Sequence, residues 1–181
     1  MIYVFLADGF EEIEALTPVD FLRRAGIDVK TVAVSGKSAV GSHNIEVKAD
    51  MCLEDIVLDE NTDGIILPGG MPGSKNLDEN KTVQNAIDYC VKENRLLCAI
   101  CAAPFILGKK GVLQNKNATC FPGFECYLKG ANVRSDGVVR SGNIITAKGA
   151  GVAWEFGCEI AAAIIGKEKA EEILNSVQWR A

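Results

Sequence analysis

The sequence is poor in histidine: among 181 residues there is one, His43. A His-based metal site, or a Cys-His or Ser-His catalytic pair, has to use that residue or do without. Catalysis here would rest on thiols and carboxylates. Long apolar runs are also missing. The longest weakly polar stretch, 96–107, contains Pro104 and is too short to span a bilayer. The segment Met1 to Asp8 has no basic region ahead of its apolar run, so no export signal is expected. Positive charge is in deficit. Nineteen Lys and Arg against 24 Asp and Glu give a net charge of −5, which favours neither nucleic acid nor an anionic membrane as partner. With 48% hydrophobic and 24% charged residues, the composition excludes disorder, and the length suits a single domain over 1–181.

Cysteine is plentiful by contrast. The seven, at 52, 90, 98, 101, 120, 126 and 158, are odd in number and scattered. They read as free thiols in a reducing cytosol, not as a zinc ribbon or a thioredoxin-type redox pair. Each one alone is first of all a small buried apolar residue.

Hydrophobic patterning predicts buried strands at 2–7, 63–68 and 96–100, a strand at 28–34 and a β-like piece at 40–48. Helices are predicted at 11–25, with a kink or break at Pro18, and at 81–94, 102–109, 151–166 and 168–177. Short strands or a hairpin are expected at 117–121, 131–134 and 137–147. This alternation predicts an α/β fold with a mostly parallel sheet covered on both faces. Sites in such sheets form at the carboxyl ends of strands, which singles out the turns after residues 7, 68 and 100.

The turn after residue 100 is Ala99-Ile100-Cys101-Ala102-Ala103-Pro104. A cysteine between small residues, passing from buried strand to helix, has the form of a nucleophile elbow. The helix start is expected to lower the Cys101 thiol pKa; the alternative is a buried inert cysteine. The turn after residue 68 carries Gly69-Gly70. Its amides, with that of Ala102, would suit an oxyanion hole; a plain glycine turn is the other reading. No Gly-Lys-Ser/Thr follows, so a phosphate loop is not supported. The first turn leads to Glu14, placed one residue after an Ile13 that is expected to face inward. A half-buried carboxyl there would have a raised pKa and could exchange a proton with Cys101. Alternatively, Glu14 is a solvated helix residue.

Taken together, G-F-E-E-I-E-A at 9–15, L-P-G-G at 67–70 with P-G at 72–73, and A-I-C-A-A-P at 99–104 resemble the ThiJ/PfpI superfamily, whose domain is class I glutamine amidotransferase-like. The closest branch is that of the DJ-one deglycases linked to Parkinson disease, with their bacterial relatives. Pro18-Val19-Asp20, Arg23 to Gly26, Asn76-Leu77 and Gly149-Ala150-Gly151 match further, so the resemblance covers essentially the whole chain. It implies a flavodoxin-like three-layer sandwich and a homodimer. It implies Cys101 as the reactive cysteine hydrogen-bonded by Glu14, and an anion pocket at the amides of Gly70 and Ala102. It places Gly69, Arg24, Cys120, Phe121 and Ala150 around the pocket. Cys120 is a possible resolving thiol if its Cα lies within about 7 Å of that of Cys101.

The activities implied need no metal or nucleotide cofactor. They are a glyoxalase or deglycase acting on methylglyoxal, glyoxal or early glycation adducts, or else a redox-sensing or chaperone-like protein whose Cys101 is oxidised to sulfinate. A flavin-binding role is allowed by the architecture but has no phosphate-loop signature behind it. The departures are informative. Protease-like members carry histidine directly after the nucleophile, where this chain has Ala102, so peptidase activity is not expected. Human-like members carry histidine just before the proline matched by Pro122, where this chain has Phe121. His43 stands where relatives place an arginine that reaches the partner subunit's pocket. It is either a pocket residue of the second subunit or an exposed loop histidine.

Overall fold

The computed structural model describes residues 1–179. A seven-stranded sheet forms from β1 (Ile2–Leu6), β2 (Val29–Ala33), β5 (Met51–Cys52), β6 (Gly64–Leu67), β7 (Leu96–Ile100), β10 (Val138–Ser141) and β11 (Ile144–Ala147). Its order is β10-β11-β7-β6-β1-β2-β5, and every pairing is parallel except β10 with β11. This is the flavodoxin-like α/β architecture. The chain first moves from β1 outward to β2, then returns to the other side of β1 to lay down β6, β7 and β11. The crevice between β1 and β6 is therefore the topological switch point.

Alternation along the strands divides the core into two layers. Tyr3 and Phe5 of β1 pack on one face with Leu97 and Ala99. Ile2, Val4 and Leu6 pack on the other with Cys98 and Ile100. The first layer is closed by α3 (Lys81–Lys92) and α4 (Pro104–Lys109), the second by α1 (Glu12–Arg24), α5 (Ala153–Ile165) and α6 (Lys167–Ser176). Phe5, Phe10, Phe21 and Phe156 are fully buried, each stabilising the fold by roughly 2–3 kcal/mol through apolar burial.

Helix α1 positions the site. Glu11 caps it, its carboxylate accepting a 2.7 Å hydrogen bond from the Glu14 amide. Acidic residues fill the first turn and Arg23 and Arg24 the last. Pro18 does not break the helix, which runs unbroken from Glu12 to Arg24. The inward face differs from the expected one. Ile13 is 53% exposed, whereas Glu14, Ala15, Pro18, Val19, Phe21 and Leu22 are buried. Weighting Ile13 as apolar turned the predicted face toward solvent. The real face is set by the i, i+4, i+7 series from Glu14 through Pro18 to Phe21.

Other differences have local causes. The 40–48 piece is a hairpin of β3 (Ser38–Val40) and β4 (Glu46–Lys48), joined through Gly41. An unexpected helix α2 (Gly73–Glu79) follows the glycine turn; Leu77 is its one large buried residue, too little to mark a period. The 117–121 strand shortens to β8 (Asn117–Ala118), which pairs with β9 (Asn132–Val133). The remaining backbone there is bound elsewhere, with the Thr119 amide on Thr146 Oγ1 and the Phe121 amide on the Cys101 carbonyl.

Candidate active site

Cys101 follows β7 directly and sits at φ +63°. A β-carbon in that left-handed region strains the backbone, typically by 1–3 kcal/mol. Two backbone hydrogen bonds hold it there: the Cys101 amide donates to the Ala147 carbonyl and the Phe121 amide to the Cys101 carbonyl, both at 2.8 Å. The result is the elbow expected from sequence, with a half-buried side chain at the carboxyl end of the sheet. The amides of Ala102 and Gly70 both face its sulfur. Gly70 reaches that position at φ +86°, packed against the backbone of Gly9, Phe10 and Glu11.

Glu14 comes to the same point from the start of α1 and is 1% exposed. Gly69 is the spacer between them. A β-carbon there would lie 2.3 Å from Glu14 Oε2 and 2.6 Å from Cys101 Cβ, so only glycine lets strand end, thiol and carboxyl converge. Glu14 faces the Cys101 thiol and the amides of Gly69 and Ala150. Its buried Oε2 makes no hydrogen bond of full geometry among the described residues. Burial pushes the Glu14 pKa up to about 7; the Cys101 thiol and the two amides oppose that, and the Glu11 charge adds to it.

The thiol departs from expectation. Burial first, then the charge and hydrogen bond of Glu14, push Cys101 up to about 12, against the pull of the Ala102 and Gly70 amides. The expected lowering by a helix start fails because α4 is six residues long and begins only at Pro104. Carboxyl and thiol therefore compete for one proton. The thiolate is favoured when Glu14 holds that proton, since the repulsion then becomes a donated hydrogen bond.

Phe121 and Ala150 lie beside the acid, the Ala150 amide facing Glu14. Phe121 is 47% exposed, and its ring and Glu14 Oε1 flank Gly149. Cys120 is buried beside the elbow, its thiol pushed up to about 11 by burial and neighbouring negative charge; it lines a different cavity, with Arg134 and Lys148. Arg24 is not with the others. It ends α1, about 15 Å along the axis from Glu14, and pairs with Asp20 at 2.7 Å. Cys98 and Cys101 do stand at C-x-x-C spacing, so geometry and not spacing must exclude a redox pair. Cys98 is fully buried within β7, its thiol raised well above the ordinary value by burial, and both are free.

His43 lies on the β3–β4 turn. Its Nδ1 is 2.8 Å from Glu12 Oε2, its amide donates to Glu12 Oε1 at 2.8 Å, and its side chain is 68% exposed. Glu12 itself is buried. Among the described residues, Glu11, Glu12 and His43 are placed to hold a cation, with ligand atoms within 4.8 Å of one another. Their mutual bonds, and the one from the Glu14 amide to Glu11, already engage them. In the sequence, Glu11 and Glu12 stand out only as part of the G-F-E-E-I-E-A string at 9–15. The available signal was a Glu-Glu run after a Gly-Phe turn in a chain with one histidine.

Comparison with known proteins agrees with this geometry. A model described as the DJ-1/PfpI family matches residues 1–163. The chain belongs to the DJ-1/PfpI family. It is 38% identical to Protein dj-1beta of Drosophila melanogaster, over 96% of this chain and 94% of that one. It is 32% identical to the glutathione-independent glyoxalase DJR-1.2 of Caenorhabditis elegans, over 91% and 88%. The solved structure of oxidized DJ-1 from Toxoplasma gondii superposes with a TM-score of 0.94 at 30% identity, covering 99% of this chain and 98% of that one. As a member of the DJ-1/PfpI family, the chain carries its elbow, glycine turn and acidic residue on the family's fold. Among the described residues no helix is long and apolar enough to cross a membrane.

Proposed function

We propose that the protein is a cofactor-independent, cysteine-dependent glyoxalase or deglycase acting on methylglyoxal, glyoxal or early glycation adducts in the cytoplasm. The observation that carries this is the Glu14 carboxyl set against Cys101 across Gly69, with the Gly70 and Ala102 amides around the sulfur. The Cys101 sulfur adds to the aldehyde carbon of methylglyoxal, giving a hemithioacetal. The developing oxyanion lies on the two amides, each worth about 3 kcal/mol in such a role, and takes a proton from Glu14. The resulting carboxylate removes the hydrogen of that carbon as a proton and returns it to the adjacent carbon, while the hydroxyl proton on the first carbon passes to the neighbouring carbonyl oxygen. This leaves a thioester of lactate, which water hydrolyses to free the thiol. A Glu14 pKa near neutrality suits both directions of transfer. The glyoxalase relative from Caenorhabditis elegans supports this reading.

The test is lactate formation from methylglyoxal without glutathione. Wild-type turnover is expected, and turnover no faster than that of Cys101→Ser would reject the reading. A second reading, Cys101 as a redox sensor oxidised to sulfinate, draws on the same acid–thiol contact and on the oxidized relative from Toxoplasma gondii. Mild peroxide would then add two oxygen atoms to Cys101 alone. Oxidation spread over Cys52 and Cys126 would count against it. A homodimer belongs to the same proposal, supported by Ile13 and Ile45, each 53% exposed.

A further inference from the structure

The end of the sheet opposite Cys101 holds a groove of about 700 Å³, formed where β7 and β11 begin. Its charge runs against that of the chain. In a protein of net charge −5, the groove is lined by Arg95, Lys116 and Arg140, with Asp63 as its one carboxylate. Asp63 is already neutralised by the Met1 ammonium at 2.5 Å. Lys116 has no carboxylate partner among the described residues. Arg95 spends one nitrogen on the Glu60 carbonyl at 3.1 Å, and Arg140 donates its Nε to the Gly142 carbonyl at 3.2 Å and one terminal nitrogen toward Glu159 at 3.5 Å, leaving its Nη2 uncommitted among the described residues. Asn94, a groove residue at φ +51°, is exposed, and its side-chain amide makes no hydrogen bond among the described residues. Ile164, 37% exposed, supplies an apolar wall.

Three cations with spare donors, an amide and an apolar wall match a small phosphorylated molecule. The phosphate meets the cations and the organic body lies on Ile164. The groove is larger than free phosphate needs, and its openness to solvent suits a polar ligand rather than an apolar one. We propose that this groove binds a small phosphate monoester, independently of the chemistry at Cys101.

Titration calorimetry on the full chain tests this, with adenosine monophosphate and inorganic pyrophosphate as probes at about 0.15 M salt, where exposed charges act only over about 8 Å. The expected result is one saturable site per chain. Lys116→Gln and Arg140→Gln should each weaken it by about tenfold or more, the scale of one lost charge-assisted hydrogen bond. Lys92→Gln, a change at an exposed lysine outside the groove, and Cys101→Ser should leave it intact. Ile164→Ser should weaken adenosine monophosphate but not pyrophosphate. Absence of saturable binding by adenosine monophosphate, whether or not pyrophosphate binds, or equal weakening in Lys92→Gln, overturns the proposal. Loss in Cys101→Ser does so as well, because it would place the ligand at the other end of the sheet.

Discussion

Two carboxylates two residues apart, Glu12 and Glu14, are both buried at the start of α1 and shift in opposite directions. Glu14 faces a thiol and amides with no cation beside it among the described residues, so burial, helped by the Glu11 charge, dominates and its pKa rises to about 7. Glu12 is also penalised by burial, but the ring and amide of His43 more than offset it and its pKa falls. A helix turn of about 100° per residue sends the two side chains to different neighbours, Cys101 for one and the β3–β4 turn for the other. The same residue type becomes a proton-exchanging acid in one place and a fixed anion in the other. Burial alone does not decide the role of a carboxylate; the partner it finds does.

The comparison is broken most directly by removing each carboxyl in turn. Glu14→Gln is expected to lower kcat/KM for methylglyoxal by about 10²–10⁴, the usual worth of a positioned acid–base group. Glu12→Gln, which leaves Cys101 and Glu14 in place, should cost less than about tenfold. Steady-state lactate formation measures both. Equal losses would mean that the two carboxyls act as one structural unit.

Stability should separate them as well. Glu14 has a folded pKa of about 7 against an ordinary 4.5, so the native state binds this proton more tightly than the unfolded chain does. The stabilisation is complete below about pH 4.5 and is lost as pH rises through about 7. Over that window the wild type should lose about 3 kcal/mol relative to Glu14→Gln, read by urea unfolding at either end. The Cys101→Ser background keeps thiol chemistry out of the measurement.

A smaller effect comes from the spacer. Gly69→Ala places a methyl group against Glu14 Oε2 and Cys101 Cβ. Overpacking of this kind costs about 1–3 kcal/mol, and separating the acid from the thiol should lower turnover further. Melting temperature and lactate assay together check it. Unchanged activity would mean that the contact is looser than the geometry states.

The sheet and the elbow were legible because both are written locally. Runs such as Ile2 to Leu6 and Leu96 to Ile100 are apolar throughout, as doubly covered parallel strands must be, and Ala99 to Pro104 carries its own turn chemistry. What sequence could not show depends on distant partners. Ile13 looks like core until the fold turns Glu14 inward. The thiol looks acidic until burial and Glu14 are set against a helix too short to stabilise it. Arg24 matches a family string yet lies at the wrong end of α1. The Glu12–His43 contact joins residues 31 positions apart through a hairpin, and no spacing rule announces it.

That contact offers the mildest test. Glu12 raises the His43 pKa above its ordinary 6.5, first through their hydrogen bond and then through charge, with Glu11 adding to it. A histidine raised in the folded state stabilises the fold fully below its unfolded value, and the effect fades as pH rises through the folded one. Docking of the β3–β4 turn on α1 should therefore loosen as pH climbs past that value. In Glu12→Gln the His43 titration, followed by its ring proton NMR signals, should move back toward 6.5. The Glu14-dependent limb of the activity profile should stay near 7, because Glu14 is tuned by burial and by Glu11 and does not depend on His43. If both limbs move together, the two carboxylates share one electrostatic site, and the division of labour between them fails.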